Sequence, residues 1–261
     1  MNRRIATAML TTLLSVSSGV LAQTYPEAGK TVRFVIGFPA GSSIDVVSRI
    51  IMDDIRARSG ATIVVENRPG ALGVIGLDAV AKAPADGYTM MPSSSATNSS
   101  GPHLSKAAQR YDAVDGFTHV ARVVRFDIAV VTNPEQGYQN AQALIEAARN
   151  KPKALTYGYG SGTGQVAAAA FSRAAGIDVL GVAYKGQPLA VNDLLGGHIN
   201  FVAADLGALL SQIQAGKLVP IALASDQRST ILADVPTARE VGLQGLNLTG
   251  WIGVSGPAGL P

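Results

Sequence analysis

No cysteine occurs among the 261 residues. That absence excludes disulfides, thiolate nucleophiles, thiolate metal sites and lipid attachment through an N-terminal cysteine. Histidine is scarce: His103, His119 and His198 are the only three, and none stands at metal-ligand spacing from another His, Asp or Glu. Charged residues make up 15% of the chain, against about a quarter in ordinary globular proteins. No run of five or six Lys and Arg appears, so no nucleic-acid partner is expected. Beyond residue 22 no apolar stretch approaches the ~20 residues that cross a bilayer. There is no G-x-S-x-G elbow, Walker loop or H-E-x-x-H pair. Neither a metal nor a cofactor is expected.

What is present reads as a globular chain with 47% hydrophobic residues and 29 glycines. Residues 1–22 read as a secretory signal peptide: Arg3 and Arg4 form a basic start, residues 5–20 an apolar stretch, and Val20-Leu21-Ala22 a cleavage site. Removing Arg3 and Arg4 with the leader lowers the formal charge from +3 to +1. The mature chain, beginning at Gln23, is expected to be soluble and exported, with no membrane insertion.

Periodicity then predicts an α/β fold. A strand run at 31–38 meets the turn Pro39-Ala40-Gly41 and a helix at 43–58, whose Ile44, Val47, Ile50, Ile51 and Ile55 share helical spacing. Strand, helix and strand follow at 61–66, 74–83 and 88–91. The third empties into the polar stretch 93–101, expected to be a loop that packs no core. After an extended segment at 120–131 the alternation repeats: helix 141–149, strand 154–157, a glycine-rich turn at 158–164, helix 165–175, strand 179–184, helix 188–195, strand 199–203, helix 206–215 and strand 218–224. Two lobes are expected, one from 23–119 plus 225–261 and one from 120–224, joined by paired strands across a cleft where a small ligand binds. A single continuous sheet is the competing layout.

Two strand-to-helix loops could hold an anion. Phe38-Pro39-Ala40-Gly41-Ser42-Ser43-Ile44-Asp45 leads from a strand end into the first helix, where free N–H groups and the helix dipole favour negative charge; Ser43 and Asp45 could equally serve as caps alone. Gly158-Tyr159-Gly160-Ser161-Gly162-Thr163-Gly164-Gln165 lies at another strand-to-helix junction. Its G-x-G-x-x-A spacing resembles a dinucleotide loop, but no acid closes the following strand, so a carboxylate-sized anion is better supported. Tyr184, Lys185 and Asp205 fall at strand ends of the second half, Asp205 as a candidate helix cap or a ligand for an amino group or a water. An exported α/β serine hydrolase using a loop serine, one histidine and Asp205 is the alternative reading.

Matching segments run through nearly the whole mature chain: Tyr25-Pro26, Phe38-Pro39-Ala40-Gly41 with Asp45, Val65-Glu66-Asn67-Arg68-Pro69-Gly70, Pro84-Ala85-Asp86-Gly87-Tyr88, Tyr184-Lys185-Gly186, Asp193-Leu194-Leu195-Gly196-Gly197, Asp234-Val235-Pro236-Thr237 and Trp251 with Gly253. In these the chain resembles the Bordetella uptake gene (Bug) receptors, periplasmic solute-binding receptors of tripartite tricarboxylate transporters. The resemblance implies a non-enzymatic, two-lobed, type II-like periplasmic binding protein, monomeric, that closes around a small carboxylate and delivers it to membrane transporter subunits. It places ligand contacts on Phe38, Pro39, Ala40, Gly41, Ser42 and Ser43, on Ser94, Ser95, Ala96 and Thr97, on Ser161, Gly162, Thr163, Gly164 and Gln165, and on Tyr184 and Asp205. The first loop departs from the family's usual glycine run, and the family typically continues past Pro261 with helices that pack on the first lobe.

Overall fold

The computed structural model describes residues 25–27, 29–104, 106 and 111–261. The expected leader, residues 1–22, lies outside them. The chain divides into two units, 1–30 and 31–261. Within the first, Lys30 pairs with Glu27 at 2.9 Å; the second carries the α/β architecture.

Its elements follow the predicted alternation. β1 (Thr31–Ile36), α1 (Ser43–Ser59), β2 (Thr62–Asn67), α2 (Val74–Ala81) and β3 (Thr89–Ser94) form one half. β4 (Phe117–Thr132), α4 (Ala141–Asn150), β5 (Thr156–Tyr159), α5 (Gly162–Ala175), β6 (Leu180–Ala183), α6 (Gln187–Leu195), β7 (Phe201–Asp205), α7 (Leu206–Gln214) and β8 (Val219–Leu223) build the other. α1 stops where Gly60 takes a left-handed conformation, φ 67°, and its N–H closes on Arg56 O. The last strand, β9 (Thr249–Pro257), was not anticipated, because three glycines and a proline at 249–257 mask the strand pattern.

The polar stretch after β3 corrects the sequence reading. Instead of an open loop it forms a π-helical turn (Ser95–Ser100) and a short helix α3 (Gly101–Leu104). Ser93, Ser94, Ser95, Ala96 and Thr97 are buried, and Ala96 joins an apolar core. Burial is tolerated because the hydroxyls satisfy one another: Ser94 Oγ lies 2.9 Å from Thr97 Oγ1, and Thr97 Oγ1 donates to Asn98 Oδ1 at 2.8 Å. The glycine-rich turn is also shorter than expected, since α5 already begins at Gly162.

Strand order is β2-β1-β3-β9-β4-β7-β5-β6, with β8 on β4. Two cores sandwich each half, as strand alternation requires. In the first, Val32, Phe34 and Ile36 of β1 pack with Ile44 and Met52 of α1, while Val35 faces Leu77 and Val80 of α2. In the second, Ile128, Val130, Phe201 and Ala203 pack against α4 and α5, and Ala129, Val131, Val202 and Ala204 against α6 and α7. The halves are thus two lobes by their cores, although the hydrogen-bonded path runs through both.

β4 makes the link. Its residues up to Asp127 pair with β9, and from Ile128 onward it pairs with β7 and β8. The segment after β8 stays with the second lobe, where Ala238, Leu243 and Leu246 join the core. β9 then enters the first lobe, pairing with β3 and burying Ile252 there. Phe126 touches cores of both lobes. Among the described residues no helix is long and apolar enough to cross a membrane.

Candidate functional site

The C-terminal ends of β1, β3, β5 and β7 deliver four loops to one place, the usual position of a site in parallel α/β sheets. The β1 loop is held by a polar brace. Gly41, at φ 79°, donates its N–H to Asp45 Oδ2 at 3.0 Å. Asn67 Nδ2 donates to Asp45 Oδ1 at 2.8 Å and to Phe38 O at 3.0 Å, and Arg49 Nε reaches Asp45 at 3.0 Å. Burial works against the Asp45 charge, yet the hydrogen bonds from Arg49, Asn67 and the Gly41 N–H outweigh it and hold the carboxyl below its ordinary range. Ser42 occupies the N-cap position of α1 without a side-chain cap bond; its hydroxyl donates instead to Pro39 O at 2.7 Å. The first N–H groups of this 17-residue helix therefore have no side-chain acceptor at the cap.

The β3 and β5 loops meet across the lobes. Ser95 Oγ lies 3.2 Å from Thr163 Oγ1 and accepts the Trp251 N–H at 3.3 Å. Ser161 caps α5 by accepting the Gly164 N–H at 3.1 Å, and it also accepts from Gln187 Nε2 at 3.2 Å. Two glycines permit these approaches. A Cβ at Gly160 would lie 2.0 Å from the Gly186 carbonyl carbon, and one at Gly162 would lie 2.9 Å from Ala96 O.

Asp205 ends β7. It stands at the N-cap position of α7 but makes no cap hydrogen bond, so the expected cap role is not what its carboxyl performs. Burial pushes that carboxyl up to about 6, opposed by the Gln187 and Ser43 side chains that face it. The Ser43 Oγ is buried and completes no hydrogen bond of ordinary geometry.

These groups enclose a cavity of about 30 Å³, large enough for a water or two. Of the residues expected at the site, Phe38, Ser42, Ser43, Ser94, Ser95, Ala96, Ser161, Thr163 and Asp205 line it. The others do not line it. Pro39 packs its ring on Gly186, Ala40 and Gly41 are exposed, Thr97 is buried in the β3 turn, and Gly164 fits beneath Ala203 O. Gln165 is part-buried on α5 and Lys185 is exposed. The Tyr184 hydroxyl donates to Asp193 Oδ2 at 2.6 Å; burial and that acceptor push it up to about 12.

Ile44 and Gly160, from the two candidate loops, complete the lining together with Phe126, Gln187 and Ile252, which were not anticipated. Gln187 was legible in principle as a polar residue opening a helix whose second position is Pro188. Phe126 and Ile252 are apolar strand residues with no local signal. Ser43, Phe126, Asp205 and Ile252 also line a groove of about 840 Å³ that carries Arg125, Asp127, Asp226 and Arg228, so they form the neck between the cavity and this outer groove.

No histidine lines the cavity; His119 is held by Ser255 Oγ at 2.8 Å and Val114 O at 3.1 Å. Among the described residues no cluster of His, Asp and Glu could hold a metal ion.

Residues 47–261 match the family model described as tripartite tricarboxylate transporter family receptor. The chain is 33% identical over 247 residues to protein BugT of Bordetella pertussis, covering 94% of this chain and 75% of that relative. Among solved structures it is similar to R. palustris Rpa4515 with adipate, at a TM-score of 0.86 and 28% identity over 90% of this chain and 79% of that one. It is similar also to the periplasmic binding protein BugD, at a TM-score of 0.84 and 29% identity over 90% and 79%.

Proposed function

This chain belongs to the tripartite tricarboxylate transporter receptor family, and from that premise we propose that it captures a small organic carboxylate between its lobes and presents it to the membrane subunits of such a transporter. The family is one of solute-binding receptors, not enzymes. The observation that carries the reading is the meeting of Ser95 from one lobe and Thr163 from the other beside the α1 and α5 N-termini, in a cavity without a cationic side chain. Such a site holds an anion with N–H groups, hydroxyls and helix dipoles.

A cavity of about 30 Å³ is too small for a dicarboxylate of several carbons, so capture requires the lobes to part. We place the hinge where β4 exchanges β9 for β7 and β8, at Asp127 and Ile128, with the return near Leu248 and Thr249. The contacts are Ser42, Ser43, Ser94, Ser95, Ser161, Thr163, Gln187 and Asp205. Residues 1–22 direct export to the periplasm and are removed, and the receptor acts as a monomer.

Thermal unfolding with a panel of carboxylates, adipate included, tests this. A ligand at about a hundred times its Kd adds roughly 2.7 kcal/mol and raises Tm by roughly 5–10 °C in a chain of this size, and Thr163→Val abolishes the shift. A panel in which no carboxylate raises Tm overturns the proposal.

A further inference from the structure

Asp205 is the one charged side chain among the residues that line the cavity, and it is negative. Within the fold only the neutral Gln187 and Ser43 side chains face it. It sits at a helix cap position without capping and has no Lys, Arg or His partner within ion-pair distance among the described residues. It borders both the cavity and the outer groove. Beside it, Ser43 Oγ is buried without a completed hydrogen bond.

A carboxylate in that position acts on ligands in two ways. It repels the negative charge of a plain carboxylic acid in a water-poor site, and it is an acceptor that an incoming donor group would satisfy. A site with an acceptor in place discriminates strongly against analogues that lack the donor. We infer that Asp205 is a specificity-determining residue that accepts a hydrogen bond from an amino or hydroxyl group carried next to the ligand's carboxylate. The ligand class is then amino acids or hydroxy acids rather than unsubstituted carboxylic acids. This rests on the carboxylate reading above.

Matched acids that differ in one substituent test it: succinate, malate and aspartate, and phenylacetate, mandelate and phenylglycine, measured by calorimetry. In one series the native protein binds a donor-bearing acid about tenfold or more tighter than the plain one. The amino and hydroxy members tell which donor is read. In Asp205→Asn the plain acid gains affinity, the donor-bearing acid loses it, and the preference shrinks to within about threefold. The native-protein comparison stands whether or not the variant folds. Equal affinities within each series, or a preference that survives in Asp205→Asn, overturn the inference while leaving carboxylate binding intact. Failure of every acid to bind the native protein overturns both.

Discussion

Asp205 occupies a position at which its ionised form is costly to the fold. Its carboxyl is pushed by burial from an ordinary 3.8 up to about 6, so the folded protein holds that proton more tightly than the unfolded chain. Stability is therefore undiminished below pH 4 and falls as pH rises from about 4 to 6. Asp205→Asn removes the loss, and chemical denaturation should find the variant about 3 kcal/mol more stable at pH 7 and equal to the native protein near pH 4. A variant no more stable at pH 7 would mean that water reaches the carboxyl. Asp45 has the opposite sign. Its carboxyl is held below the ordinary range by Arg49, Asn67 and Gly41, so the stability it contributes is present above that range and disappears as pH falls through its lowered value. Asn67→Ala removes one arm of the brace around Phe38 to Ser43. We expect a loss of about 1–2 kcal/mol together with weaker ligand binding, checked by denaturation and calorimetry on one preparation.

Among the elements, α5 shows most clearly how sequence and structure divide the work. Its glycines suggest a loop through which a ligand approaches the backbone, and the helix N-terminus does reach the cavity at Thr163. Gly162 has a different task. A Cβ there would lie 2.6 Å from Ser100 Oγ and 2.9 Å from Ala96 O, both on the other lobe, so the missing side chain is what lets the β3 turn and α5 close together. Gly162→Ala should weaken ligand binding by about tenfold, since overpacking of one methyl costs about 1–3 kcal/mol and the contact is made only when the lobes meet. Calorimetry reads this directly, and an unchanged affinity would remove Gly162 from the closing surface. The stretch after β3 carries the complementary lesson. Seven consecutive polar or small residues look unable to pack, but a π-helical turn folds their hydroxyls onto one another, and that mutual satisfaction depends on a geometry no linear pattern encodes.

For the molecule as a whole, the lobes are joined by β4, which pairs with β9 on one side and with β7 and β8 on the other, and by the meeting of the β3 turn with α5. Phe126 contributes to cores on both sides of the crossing, and its ring lies where a Cβ on Gly250 would stand, 1.8 Å away, so β4 and β9 are locked together at that point. Phe126→Ala leaves each lobe its own core but removes the shared piece. The part-buried ring makes a loss of about 2 kcal/mol reasonable against the 3–5 kcal/mol of a full core deletion. The sharper signature is cooperativity: the van't Hoff enthalpy should fall below the calorimetric enthalpy as the lobes begin to unfold separately. A variant that still melts as one unit would show that β4–β9 pairing suffices for coupling.

What the sequence determined by itself is the alternation of strands and helices, because apolar periods of 2 and 3.6 are local properties of the chain. It determined the order of motifs that marks the family, and the strand-to-helix loops that supply nine of the residues around the cavity. Tertiary structure alone decided which hydroxyls face which. Ser95 and Thr163 are 68 positions apart and meet only because the two halves of the chain pack against each other. It decided that β9 completes the sheet, that Phe126 and Ile252 form the neck, and that Asp205 faces the cavity instead of capping its helix. These depend on contacts between distant segments, where packing and exclusion of water, rather than local propensity, set the outcome.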